Sequence, residues 1–294
     1  MTSLVFMLMM QFVVSTKAGL VNYVQGSANV KATTTVPAGT PIETGSDGAV
    51  EILLNPGSYL RLGENSAAVF EQVELTEISL RITRGSAVIE ANGFDKKAPL
   101  KVTSQNLKME IIDDGIYSFS DGKVMVVGGK IRNADTGVVY KKGYQISDDQ
   151  GSSAVKVKTI PSALEAWSRK RSELIAAANV NVANSLRKNP NIPLNSFLDV
   201  WLWAPAFGAF VYMPAFGYRS PYGYRYQSVG YYGGGGQPAG AFSDSGTAQS
   251  SGGGGGFSGG GGGSAGGNSA IGSASPGQSS GARSTGPGAR PQVQ

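Results

Sequence analysis

The chain has no cysteine and no histidine in 294 residues. The first absence excludes a disulfide scaffold, a thiolate nucleophile and a cysteine zinc site; the second removes the commonest general base and metal ligand. Charged residues are also sparse, at 15%. Their placement says more than their sum of +5: residues 1–150 carry −2, residues 151–188 carry +5 and the remainder +2. No apolar run is long enough to cross a bilayer as a helix; the longest, residues 4–14 (LVFMLMMQFVV), has the length of a secretory signal core. Thr16-Lys17-Ala18 follows it with small residues suited to a signal peptidase, so cleavage after Ala18 would leave Gly19 as the mature start. No Lys or Arg precedes the run, and a buried first strand is the alternative reading.

What is abundant is glycine, 43 residues concentrated towards one end. The foldable part is therefore shorter than the chain, and one domain with appendages is expected. From Gly19 to about residue 149 the pattern is short apolar runs closed by Gly, Pro, Asn and Asp, which reads as strands over 22–30, 41–43, 50–54, 59–62, 68–75, 79–83, 87–90, 100–103, 107–112, 116–119, 123–127 and 138–141. The hairpin at 49–62 organises the rest. Val50, Ile52 and Leu54 share one face, Leu60 and Leu62 repeat it, and Glu51 and Arg61 point to the other, which predicts a buried side and a wetted side. A repeat is visible: Gln25-Gly26-Ser27-Ala28 aligns with Arg84-Gly85-Ser86-Ala87, and Gly128-Gly129-Lys130-Ile131 opens a possible third copy.

The segment TGSDGAVEILLNPGSYLRLGENS, residues 44–66, resembles the central motif of the FecR domain family through Thr44, Gly45, Gly48, Gly57, Ser58, Leu60, Leu62 and Gly63. The resemblance extends upstream through Gly26 and downstream through Gly85. It implies an all-β fold, a twisted β-solenoid-like domain, with a β-sandwich as the alternative. It also implies a role in relaying outer-membrane signals to sigma factors. Signalling members carry an anti-sigma segment and a spanning helix ahead of the domain. Only about 18 residues precede it here, so partner binding outside the cytoplasm is the expectation rather than direct sigma-factor control.

At Ile160 the apolar period lengthens. Pro161 and the capping box Ser162-Ala163-Leu164-Glu165 open a helix, with Leu164, Trp167, Arg171, Leu174, Ile175, Ala178, Val182 and Leu186 predicted on one face and a possible end near Lys188. Arg169, Lys170 and Arg171 read as a solvated basic flank or as a partner-binding surface. Residues 200–232 are dense in aromatics and resemble, more loosely, the Trp-Pro-Phe-Gly-Tyr tail that follows the FecR region in envelope proteins of soil bacteria. Trp201, Trp203, Tyr218, Tyr222 and Tyr224 are candidates either for cover over the β-domain or for an exposed glycan-stacking strip. Residues 233–294 have a composition expected to stay disordered.

The expected division is a signal peptide over 1–18, a FecR-like domain over 19–158, a helix over 159–188, an aromatic segment over 189–232 and a tail over 233–294. No catalytic constellation, cofactor motif or metal-ligand spacing stands out. Asp113-Asp114 and Asp148-Asp149 sit in turns and read as turn formers rather than calcium ligands. The glycine runs lack a phosphate-loop context, and no basic groove with stacking aromatics points to nucleic acid. The sequence thus predicts a non-catalytic periplasmic or cell-surface module that binds an envelope protein or cell-wall polymer, with no small-molecule substrate and an oligomeric state left open. The alternative is a structural or adhesive protein that associates through its aromatic and glycine-rich tail.

Overall fold

Turn chemistry and the two-residue alternation place the strands close to where the sequence predicts them. The computed structural model describes residues 12–13, 17–148, 153–158, 160–189, 191 and 193–230. The chain divides into two units, Met1–Gly236 and Gln237–Gln294. The second unit, most of the expected leader, Asp149 and the start of the glycine-rich tail lie outside the described residues.

In chain order the strands are β1 (Phe12–Val13), β2 (Leu20–Gln25), β3 (Pro41–Glu43), β4 (Ala49–Leu53), β5 (Tyr59–Leu62), β6 (Ala67–Glu74), β7 (Glu77–Arg84), β8 (Ser86–Ala91), β9 (Leu100–Ser104) and β10 (Leu107–Ile111). They continue as β11 (Gly115–Ser120), β12 (Lys123–Gly128), β13 (Lys130–Asn133), β14 (Val139–Lys141), β15 (Tyr144–Ser147) and β16 (Ser153–Lys156). The helix α1 (Ala163–Arg187) follows, then β17 (Val200–Ala204), β18 (Ala209–Met213), β19 (Tyr218–Arg219) and β20 (Arg225–Tyr226).

Two open sheets form the body. One has the order β14-β13-β10-β9-β7-β6-β3, the other β16-β15-β12-β11-β8-β5-β4-β2. The chain crosses between them after almost every hairpin, and their inward residues fill one core: Val50, Ile52, Leu60, Leu62 and Ile89 from the eight-stranded sheet meet Phe70, Leu80, Val102, Met109 and Ile131 from the other. Pairing is antiparallel except between β7 and β9. The body is thus mostly β with a single long helix. The repeat marks corners of this path, with Gly26, Gly85 and Gly129 at φ of 62°, 75° and 84°. At Gly85, between β7 and β8, a Cβ would lie 2.7 Å from the Ser66 Cα, so both the turn and the close approach demand glycine.

The expected wetted side of the 49–62 hairpin is not wet. α1 and the β17–β18 hairpin lie across it, and a second core joins Leu53 and Tyr59 to Ile175, Ala178, Trp201, Val211 and Tyr226. α1 begins as its capping box predicts, with Glu165 N donating to Ser162 Oγ at 3.1 Å. Its buried face is rotated from the predicted one: Ser168, Arg171, Ser172, Ile175, Ala178, Asn179, Ala183 and Leu186 face inward, whereas Leu174 is 37% exposed. The face is half polar because it covers charged strand residues, which a purely apolar period does not reveal. Asn179 and Asn181, poor helix formers, lie within the continuous helix. The Asn179 amide donates to the carbonyls of Tyr212 (3.0 Å) and Gln227 (3.1 Å) and accepts from Gln227 N (2.7 Å), fastening both tail segments to the helix.

β1 pairs with β17 through Phe12↔Leu202 and Val13↔Trp201. Two residues of the expected leader core therefore form a strand in this structure.

Candidate functional site

Glu51, Arg61 and Glu90 occupy adjacent strands β4, β5 and β8, in a register that sets Glu51 opposite Arg61. All three are fully buried beneath α1. Arg61 Nε donates to Glu51 Oε2 and Arg61 Nη1 to Glu90 Oε2, each at 2.8 Å, and Nη1 also reaches Ser168 Oγ at 2.9 Å. From the helix, Arg171 Nη2 donates to Glu51 Oε1 at 2.9 Å while its guanidinium lies 4.0 Å over the Tyr23 ring. Asn22 Nδ2 donates to the same oxygen at 2.8 Å, and the Ser172 hydroxyl donates to Glu90 Oε2. Two carboxylates and two guanidiniums balance.

The carboxyls titrate in opposite directions. Burial opposes ionisation of Glu51, but Arg61 and Arg171 together outweigh it and hold the group below the usual carboxylate range. Burial raises Glu90, because a single arginine and the Ser172 hydroxyl offset it only in part and the Glu51 charge adds to the rise. Burial likewise lifts the Tyr59 phenol well above its ordinary value and pushes Tyr222 up to about 12. Closed to solvent, the network offers no route for substrate, and it serves as the seat of the helix.

Solvent reaches the same sheet face where α1 begins. A groove of about 470 Å3 opens there, lined by Gln25, Asp47, Glu64, Asn65, Ser86, Ser118, Ser120 and, from the helix, Ser162, Leu164 and Trp167. Gly63 forms part of its floor; a Cβ there would lie 2.7 Å from Ser86 Oγ and 3.2 Å from Leu164 Cδ2. Trp167 Nε1 donates to Gln25 Oε1 at 3.1 Å, which fixes the indole at the wall. Asp47 accepts from Ser27 N at 3.1 Å and Ser27 Oγ at 2.5 Å, which lowers its pKa.

The family-motif residues prove architectural. Thr44 Oγ1 donates to Gly63 O at 2.5 Å and accepts from Ser66 N at 2.9 Å. Gly45 N donates to Ser27 O, and Gly48 packs on that same carbonyl, joining the motif to Gly26-Ser27. Ser58 Oγ donates to Asn92 O at 3.0 Å, Gly57 takes a φ of 84° in the turn, and Leu60 and Leu62 lie in the core. The candidate contact residues separate. Arg169 and Lys170 are exposed, with Arg169 5.2 Å over the Tyr222 ring. Arg171 is buried in the ion network, which corrects its reading as a solvated flank. Trp201 is 1% exposed, and Trp203, Tyr218, Tyr222 and Tyr224 are half-buried against the body. Of the two readings the sequence leaves open, these residues take the packed cover: large aromatics on a bare sheet face gain more by burial than by standing in water. Phe216, at 69% exposure, is the exception.

Asp113 and Asp114 act as turn formers: Asp113 pairs with Lys130 at 2.7 Å, and Asp114 Oδ1 accepts from Gly93 N at 2.6 Å. Among the described residues no three acidic side chains are grouped to hold a metal, and no helix is long and apolar enough to cross a membrane. Sequence reasoning missed Glu51, Arg61 and Glu90 as a unit, although the turn at Asn55 to Ser58 already sets Glu51 opposite Arg61. It also missed the groove, whose residues come from five separate strands or turns and one helix.

No curated protein matches the chain. Two crystal structures of a candidate anti-sigma factor from Parabacteroides distasonis ATCC 8503 are similar at 14% identity, with TM-scores of 0.35 and 0.37. The matches cover 40% and 44% of this chain and 60% and 65% of those chains, so this protein spans less than two thirds of their length. The strands and corners from β3 to β13, with Gly48 and Gly63 of the groove lining, coincide with a family match: residues 40–132 match the model of the family described as FecR protein.

Proposed function

We propose that this chain is a non-catalytic, exported FecR-domain protein, a binding and signal-sensing module of the cell envelope that engages an envelope protein or a cell-wall polymer. The supporting observation is the FecR match over residues 40–132, which spans the segment whose Gly48 and Gly63 line the groove. A family motif spent on shaping an open groove, beside a sealed ion network, suits recognition better than chemistry. The adhesive alternative loses Trp201 and Tyr226 as contacts, since both are buried.

The test is cell fractionation with sequencing of the mature amino terminus, combined with a photo-crosslinking residue in place of Asn65 at the groove rim. The expected result is a chain beginning near Gly19, outside the inner membrane, crosslinked there to an envelope component. A cytosolic chain that keeps Phe12 and Val13 as the partner strand of β17 overturns the envelope setting.

A further inference from the structure

We propose that the groove beneath the start of α1 is a binding site for a neutral oligosaccharide, about two linked pyranose rings long. This rests on the reading of the chain as a binding module and names the ligand class for that site.

The lining decides the class. Its volume of about 470 Å3 lies within the range of small-ligand pockets. Polar and apolar atoms share its surface about equally, and several of the hydrogen-bonding side chains are free to bond outward: among the described residues, neither the Ser86 nor the Ser118 hydroxyl has an internal partner, and the Glu64 carboxylate is unpaired. Both serines stand on the outward face of the eight-stranded sheet, where the alternation from the core residues Ala87 and Phe119 puts them. Buried or half-buried polar groups without partners are costly unless water or a ligand satisfies them. Hydroxyls, an amide and carboxylates in one groove offer the donors and acceptors that vicinal sugar hydroxyls require.

The second observation is Trp167. Its indole is half-buried, tethered by Gln25 at 3.1 Å and packed 6.4 Å from the Tyr23 ring. The tether costs the indole its rotational freedom before any ligand arrives, which is what a stacking platform for the C–H face of a pyranose needs. No Lys or Arg lines the groove, while Asp47 and Glu64 do. An anionic ligand is therefore disfavoured despite the nearby helix N-terminus, because two carboxylates outweigh its partial positive charge.

The experiment is saturation-transfer NMR on the purified full chain with chitobiose and cellobiose as probes, spermidine as a control ligand and inorganic phosphate as a competitor against the sugars. Transfer to the ring protons of at least one disaccharide is expected. Trp167→Ala should weaken it by about tenfold or more. Ser118→Lys, on a half-exposed strand position, should block the groove while leaving the circular-dichroism melt unchanged. Absence of transfer from both sugars at millimolar concentration, unchanged affinity in a folded Ser118→Lys variant, or preference for spermidine or phosphate would each overturn the proposal. An exported chain that crosslinks through Asn65 but ignores both sugars refutes the sugar site alone. A cytosolic chain that binds them refutes the envelope setting alone.

Discussion

Arg171 on the helix and Glu51 on the sheet, 120 residues apart in sequence, meet at 2.9 Å in a site closed to water. Their contact turns what looks like the outer face of a half-exposed sheet into a second interior. A buried pair contributes little over an apolar substitute of the same shape, yet losing one member leaves its partner charged and unsolvated.

Arg171→Ala should therefore destabilise the protein by about 3–5 kcal/mol. Urea unfolding followed by far-ultraviolet circular dichroism measures it, with a lower midpoint expected. A loss under about 1 kcal/mol, the range of exposed pairs, would mean that water reaches the site.

The two carboxyls give stability an uneven pH dependence. Glu51 titrates below its unfolded value of 4.5, so the stability it contributes is present above that value and is lost as pH falls through its folded value. Glu90 titrates above 4.5, so its contribution is full below 4.5 and is lost as pH rises through its folded value. Urea midpoints from roughly pH 3 to 8 should show both slopes. Glu90→Gln removes the decline on the upper side, and Glu51→Gln flattens the acid side at a lower baseline. If Glu90→Gln keeps the upper slope, that slope belongs to another group.

Gly63 and Gly85 should respond differently to alanine. At Gly63 the new methyl meets the Ser86 hydroxyl, which can rotate away, so Gly63→Ala should cost under about 1 kcal/mol; Gly63→Val, pressed against Leu164, should cost about 1–3 kcal/mol. At Gly85 the methyl meets the Ser66 backbone at a φ of 75°, and Gly85→Ala should cost about 1–3 kcal/mol. Thermal melts of the three variants test the order, and equal shifts at Gly63→Ala and Gly85→Ala would contradict it.

Asn179→Ala removes the staple between α1 and the tail and leaves the buried carbonyl of Tyr212 and the half-buried one of Gln227 without their donor. A loss of about 1–3 kcal/mol is expected for each unsatisfied group. Hydrogen exchange at the Gln227 amide should accelerate ahead of exchange in β8. Uniform acceleration throughout would show that the tail and the body open together.

Much of the body was legible because strand alternation and turn residues are local. Tyr59 to Leu62, Pro41 to Glu43 and the cap at Ser162 fall where the sequence puts them. The cover on the sheet was not legible. Alternation distinguishes a polar face from an apolar one, but Glu51 and Arg61 look the same whether water or Arg171 satisfies them. β17, Val-Trp-Leu-Trp-Ala, is buried almost throughout and so has no alternation to read. The groove escaped because Gln25, Ser86 and Ser118 lie far apart in sequence and share a face only through strand pairing, with α1 laying Trp167 beside them.

Asn22 in β2 and Phe210 in β18 exchange hydrogen bonds across 188 residues, Phe210 N donating to Asn22 Oδ1 at 2.6 Å. That separation dictates an order of events. The sheets can assemble while the chain is still being made, but their charged outer face stays bare until α1 and the β17–β18 hairpin arrive, and closing so long a loop is slow. The newly made body therefore passes through a stage in which Glu51, Arg61 and Glu90 are hydrated and the aromatics of β17 and β18 are undocked.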